Sequence, residues 1–176
     1  MSLEGKRVAV LAEEGYQELE LWYPILRLRE EGADVVVVAP QTVKAYESRL
    51  GYPLLAELTF EELDIAALDG VVIPGGEAGQ RLERLGAAVE LVRDSFEQGL
   101  VTAAIGTGTG VLAAAGALKG RQYTTDESSG GNRAETGGNF VNEEVVVDGS
   151  VITSRGADDL PAFFSSIQQT LLSKGK

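Results

Sequence analysis

The chain has 176 residues and a net charge of −12. The length suits one domain, and the charge argues against nucleic acid or an anionic membrane as partner, since both require basic patches. Cysteine and histidine are both absent, which excludes disulfides, thiolate nucleophiles, soft zinc-type sites and any imidazole base.

Chemistry in such a chain has to use carboxylate, hydroxyl, amine or phenol groups. A metal, if bound, would be a hard ion on oxygen ligands. No apolar run is long enough to span a bilayer. The segment from Met1 to Arg7 lacks the apolar stretch of a signal peptide, so the expected location is cytoplasmic. The acidity reads as solubility or adaptation to a salty cytoplasm.

In chain order, Arg7 to Ala12 is a first strand, apolar enough to be buried on both faces. Glu13-Glu14-Gly15 is the turn after it. Glu18 to Glu31 reads as a helix with Leu21, Ile25, Leu28 and Trp22 on one face and Gly32 as its C-terminal glycine. Pro24 inside it removes one hydrogen bond, which predicts a kink or a later effective start. Asp34 to Ala39 is a second buried strand. Gln41 to Leu58 is less regular and predicts a short hairpin. Glu61-Glu62-Leu63 suggests one acidic helical turn. Asp69 to Ile73 is a third strand, ending in Pro74-Gly75-Gly76. Ala87 to Gln98 reads as a helix with Val89, Leu91, Val92 and Phe96 inward, closed by Gly99.

The segment from Val101 to Gly116 has a distinct grammar. A buried strand over Val101–Ile105 runs into a glycine cluster, and an alanine-rich apolar helix follows and stops at Gly116. In an open α/β sheet such a turn lies at the carboxyl edge, where ligands bind. A nucleophile could sit at its apex, but the apex is Gly106. Beyond it, Arg121 to Thr125 reads as a short strand and Asp126 to Asn139 as a glycine-rich loop. Glu144 to Ser154 reads as a hairpin turning at Asp148-Gly149. Asp158-Asp159-Leu160-Pro161 opens a last helix through Leu172. Strands alternating with helices predict a doubly wound, mostly parallel α/β sheet between helices, with a small hairpin, as one domain over residues 1–176.

Several stretches together resemble the ThiJ/PfpI family, the intracellular protease/amidase group within the class I glutamine-amidotransferase-like superfamily. They are Glu20 to Pro24, Val72 to Gly76, Val101 to Gly116, Leu118 to Arg121, Val145 to Gly149, and Thr153-Ser154-Arg155 through Asp159 to Phe163. The resemblance runs in order over nearly the whole chain. It implies a flavodoxin-like fold, a homodimer or hexamer, and chemistry built on an elbow cysteine followed by histidine. A buried glutamate contacts that thiol, and a further acidic residue, in the protease-like branch from a neighbouring subunit, orients the histidine. Carried over, Glu20 matches the buried glutamate, and Gly75 and Gly76 match the turn whose backbone N–H groups face the site. Gly106, Thr107 and Gln80 stand where the cysteine, the histidine and the orienting acid belong.

The pocket is therefore expected to be lined by Glu20, Gly75, Gly76, Gly106, Thr107 and Gly108, with no catalytic residue, metal or cofactor. Glu20 is expected to bond to water or to backbone N–H groups near Gly106, and to favour its protonated form in a dry site. Thr107 and Thr109 read as capping or turn hydroxyls, because no base is available to make either a nucleophile. The Gly106-x-Gly108-x-Gly110 spacing is not the dinucleotide fingerprint. Tyr16, Gln17, Asp126 and Glu127 are candidates to line the same cleft.

The function expected is a non-catalytic, homo-oligomeric member of the family with a residual small-molecule or anion pocket. Two alternatives stand beside it. One is a hydrolase or glyoxalase-type enzyme working through Glu20. The other is a structural subunit pairing with an active paralogue. The apolar set Leu21, Trp22, Tyr23 and Leu26 is expected near the subunit interface.

Overall fold

The computed structural model describes residues 2–126 and 135–175. Strand β1 (Arg7–Leu11) leads into helix α1 (Glu18–Glu30), and β2 (Asp34–Ala39) follows. A short hairpin, β3 (Ala45–Glu47) and β4 (Pro53–Leu55), precedes β5 (Leu58–Thr59). Next come β6 (Gly70–Ile73), α2 (Glu77–Glu83), α3 (Gly86–Glu97), β7 (Val101–Ile105) and α4 (Thr109–Ala114). The chain ends with β8 (Gln122–Tyr123), β9 (Asn139–Phe140), β10 (Val145–Asp148), β11 (Val151–Ser154) and α5 (Leu160–Ser173).

Among the described residues, seven strands form the main sheet in the order β10-β11-β7-β6-β1-β2-β5. All neighbouring pairs in it are parallel except β10 with β11. The sequence pattern explains the burial. Val35 to Val38 of β2 and Val71 to Ile73 of β6 are buried on alternate faces, each such side chain stabilising the fold by roughly 1.5–3 kcal/mol. On one face, Val8, Val10, Val37, Ala103 and Ile105 meet α1 and α5. On the other, Ala9, Leu11, Val71, Ile73 and Ala104 meet α2, α3 and α4. The result is the doubly wound sandwich that strand–helix alternation predicts.

Several expectations need correction. Helix α1 starts at the cap Gln17 and runs through Pro24 to Glu30, so the proline does not mark its start. Helix α2 was unpredicted; its short run of mixed polarity carries no helical stripe long enough to read. The acidic segment at residues 60–62 is a turn, and a single 3-10 turn follows at Ile65–Ala67. Asn139, expected to end the loop, forms β9 with Phe140 and pairs in parallel with β8. Gln122–Tyr123 is the short strand expected. The hairpin turning at Asp148-Gly149 is present, but β11 continues into the main sheet beside β7.

The apolar set on α1 also divides differently. Leu21 is fully buried in the core and offers nothing to a partner. Tyr23 packs edge-on against Phe164 of α5 at 6.4 Å between ring centres. Trp22 is half-buried and meets the ring of Tyr52 at 5.8 Å. Of the four, Leu26 alone is largely exposed.

Candidate functional site

The strand order reverses beside β1. The chain passes from β1 to β2 on one side and later adds β6 on the other. The carboxyl edge at such a reversal is where open α/β sheets form a crevice. Here the loops after β1 and β6 are tied together. Gln17 N–H donates to Gly75 O at 3.3 Å, and Glu77 N–H donates to Gly15 O at 2.9 Å. Gln17 also caps α1, its side-chain oxygen accepting from Glu20 N–H at 2.8 Å. Tying and capping together set the first turn of α1 against Gly75, and that turn carries Glu20.

Glu20 is only 6% exposed. Gly75 leaves room for that carboxyl: a Cβ there would collide with Glu20 Oε2 and stand 3.0 Å from the backbone oxygen of Ile105. Gly106 approaches the same carboxyl from β7. A Cβ on Gly106 would stand 3.3 Å from Glu20 Oε2, 3.5 Å from Oε1 and 3.6 Å from Arg155 O. Gly156 adds a third approach, its Cβ position lying 3.7 Å from Oε1. Among the described residues nothing gives Oε2 a hydrogen bond. Burial pushes the Glu20 carboxyl from 4.5 up to about 7. The Gly75 N–H favours the charged form and offsets part of that shift; Asp126 adds to it and Arg49 opposes it. Of the donors expected for Glu20, the backbone N–H of Gly75 is the one the carboxyl meets, and Oε2 itself has no donor among the described residues. The expected upward shift holds.

Gly106 opens a 3-10 turn over Gly106–Gly108, from which α4 starts. Its φ is +57°, a region costly for residues with a Cβ. Two hydroxyls hold this turn. Thr107 Oγ1 donates to Gly76 O at 2.5 Å, and Thr125 Oγ1 donates to Gly106 O at 3.0 Å. Thr107 is therefore the turn hydroxyl expected of it. Thr109 makes no cap: its Oγ1 is buried with no partner among the described residues. Helix α2 packs against the elbow turn and α4.

The structure brings Glu20, Gly75 and Gly106 into contact, and links Gly76 to Thr107. Gly108 is buried in the elbow turn behind them. Gln80 is solvent-exposed on α2 and does not join this buried set. Tyr16 is fully buried, its hydroxyl donating to Tyr52 O at 2.5 Å, so it braces the hairpin rather than lining a cleft. Gln17 serves as the helix cap. Asp126 acts on Glu20 through charge, and Glu127 lies outside the described residues. Among those residues no group of three or more carboxylates is placed to hold a metal ion.

Sequence reading missed the role of Arg155 and Asp159. The Arg155 guanidinium grips Asp159 through two bonds, Nε to Oδ2 at 2.7 Å and the other fork to Oδ1 at 2.9 Å, and also donates to Asn142 Oδ1 at 3.1 Å. This clamp holds the Arg155-Gly156 backbone against Glu20. The i,i+4 spacing of opposite charges was the available signal.

A mostly parallel, doubly wound sheet with a buried carboxyl facing a strand-to-helix elbow defines a flavodoxin-like α/β domain of the DJ-1 superfamily type. The chain belongs to the DJ-1/PfpI family, which it matches over residues 6–170. It is 40% identical over 165 residues to an uncharacterised protein of Archaeoglobus fulgidus, covering 94% of this chain and 98% of that one. It is 33% identical over 165 residues to the deglycase PfpI of Pyrococcus furiosus, covering 94% and 99%. Among solved structures it superposes with a TM-score of 0.91 on a two-domain protein of Anabaena variabilis that joins a DJ-1/ThiJ/PfpI-like domain to a ferritin-like one. That pair shares 33% identity over 94% of this chain, which spans about half (48%) of the larger protein. A cysteine-to-alanine variant of a DJ-1 superfamily protein from Salmonella typhimurium gives a TM-score of 0.86 at 30% identity, covering 96% and 91%. No helix among the described residues is long and apolar enough to cross a membrane.

Proposed function

We propose that this chain is a non-catalytic member of the DJ-1/PfpI family, a cytoplasmic homo-oligomer that keeps a small-molecule pocket at the elbow. One observation carries the reading. The position that faces Glu20 from the elbow is Gly106, which supplies no ionisable atom, and Thr107 beside it spends its hydroxyl on Gly76 O. A covalent mechanism needs both a nucleophile and a group that takes its proton; Gly106 and Thr107 supply neither. Both ligand classes stay open, because Glu20 and the Arg155 carbonyl oxygen line the approach to Gly106 while the Gly75 N–H donates into the same site.

The oligomer reading rests on the face formed by α1 and the β3–β4 hairpin. Leu26 and Leu55 are 59% and 64% exposed there. A groove of about 510 Å³ lies between these elements, walled mainly by Trp22, Val37, Pro53 and Leu54. Exposed apolar side chains beside an apolar groove are what a subunit contact would cover.

The enzyme alternative is favoured by a different observation. Some relatives are named deglycases, and a carboxyl pushed up to about 7 is matched to proton transfer near neutrality. Deglycase, glyoxalase and peptidase assays on the wild-type chain separate the readings. No turnover above buffer is expected. Turnover that vanishes in Glu20→Gln would promote the carboxylate enzyme instead.

A further inference from the structure

We infer that Arg155 and Asp159 are positioning residues for Glu20: their ion pair holds the Arg155–Gly156 backbone closed over the buried carboxyl and keeps water from it. The inference rests on the elbow reading above, in which Glu20 is the ionisable group that remains.

Three backbone segments close on the Glu20 carboxyl, each through a glycine. Two are fixed by their own loops. Gly75 O accepts the Gln17 N–H, and Gly106 O accepts the Thr125 hydroxyl. The third segment follows β11. A Cβ on Gly156 would stand 3.7 Å from Glu20 Oε1, and the Arg155 carbonyl oxygen would lie 3.6 Å from a Cβ on Gly106. Ser154, paired with Ile105, is the last residue of β11. Beyond it the sheet no longer holds the chain.

The side chain of Arg155 holds it instead. Nε donates to Asp159 Oδ2 at 2.7 Å, Nη2 to Asp159 Oδ1 at 2.9 Å and Nη1 to Asn142 Oδ1 at 3.1 Å. The guanidinium thereby ties the chain before β10, the end of β11 and the start of α5. An exposed ion pair of loose geometry would hold little. This one is a two-pronged fork on a carboxylate whose side chain is only 10% exposed. Asp159 gives up a bond for it. It is the N-cap residue of α5, a place where aspartate favours the backbone N–H groups of the first turn, yet its side chain makes no cap bond. Both of its oxygens go to Arg155.

Closure of this wall bears on the proton of Glu20. Burial is the largest cause of its upward shift, and burial lasts only while the wall stays shut. The other groups acting on the carboxyl are the Gly75 N–H and Arg49, which favour the charged form, and Asp126, which opposes it. Arg155 is not among those causes; Asp159 matches its charge. Two effects of losing Arg155 therefore differ in sign. Removing a cation, by charge alone, raises the titration midpoint of a carboxyl. Opening the wall hydrates the carboxylate and lowers it.

The test follows the Gly75 amide by NMR across the neutral and acid range, because that N–H meets the carboxyl. Glu20→Gln identifies the transition that belongs to residue 20. The wild-type midpoint should lie near 7. Arg155→Gln should lower it by at least about half a pH unit. Arg155→Lys keeps the charge and loses the fork, and should lower it too. Arg121→Gln breaks another Arg–Asp pair, with Asp148 beside the opposite end of β11, and should leave the midpoint unmoved. If Arg155→Gln fails to fold, Arg155→Lys and Asp159→Asn carry the same comparison. Three results overturn the inference: a wild-type midpoint in the ordinary glutamate range, a midpoint that stays or rises when the clamp is broken, or an equal fall in Arg121→Gln. Turnover assays judge the non-catalytic reading separately. An active wild type whose midpoint falls on breaking the clamp would sink that reading alone, and an inactive one whose midpoint does not move would sink this inference alone.

Discussion

Gly106 turns its bare Cα toward the Glu20 carboxyl, so closely that a Cβ would lie 3.3 Å from Oε2. Two costs therefore fall on Gly106→Ala. The backbone sits at φ +57°, which costs a residue with a Cβ about 1 kcal/mol, and the new methyl presses on the carboxyl. Urea denaturation should show a loss of about 1–2 kcal/mol. Adding Glu20→Ala removes the contact and leaves the strain, so the double-mutant cycle should show a coupling of about 0.5 kcal/mol or more. An alanine variant as stable as wild type would mean that the elbow relaxes to an ordinary turn.

Glu20 also sets a pH dependence with a definite sign. Its carboxyl is raised from 4.5 to about 7 on folding, mainly by burial. Between those values the folded chain holds a proton that the unfolded chain has lost. Stability therefore falls as pH rises through that window and is flat with respect to this group above it. The Glu20→Gln variant lacks the effect. Its stability relative to wild type should grow by about 2 kcal/mol between pH 5 and pH 8. A constant difference across that range would contradict the assigned burial cost.

Rebuilding the elbow gives a chemical readout. The triple variant Gly106→Cys, Thr107→His and Gln80→Glu keeps Glu20 beside the new thiol. A carboxyl that holds its proton near neutrality can donate to a thiolate and so stabilise it. Iodoacetamide should react with the rebuilt thiol faster than with a thiol of ordinary pKa, about 8.5. Adding Glu20→Leu should remove the advantage. Equal rates with and without Glu20 would show that the carboxyl does not reach residue 106.

Assembly has its own test. Light scattering at micromolar concentration should report a dimer or larger species. Leu26→Glu and Leu55→Glu, both on exposed positions of the α1–hairpin face, should shift it to monomer without unfolding the chain, because a charge in an apolar contact is costly. A monomeric wild type rejects the oligomer reading.

Much of this was legible because strand and helix patterns are local. Asp34–Ala39 is apolar almost throughout and matches β2 residue for residue, and Gly32 and Gly116 stop helices where their positive φ allows. The Glu20–Gly106 pairing was legible only through resemblance, since no periodicity links positions so far apart. What was lost depends on contacts across the chain. Leu58–Thr59 is a strand only because β2 offers a free edge. Leu21 and Leu26 look alike in sequence, yet one lies under the sheet and the other in solvent. Gln17 is a cleft candidate in sequence, but its side-chain oxygen is taken by Glu20 N–H as the cap of α1.

The collision that Gly75 avoids has a consequence for the order in which these positions can change. A Cβ at residue 75 would displace the carboxylate of Glu20 and would also stand 3.0 Å from the backbone oxygen of Ile105, so shortening residue 20 relieves the larger of two contacts. Gly75→Ala should therefore be milder on a Glu20→Ala background than alone, so a lineage leaves this arrangement more easily by giving up the acid before the glycine. While Glu20 stays, its carboxylate weighs against any side chain at residue 75, whatever happens to the other groups around it.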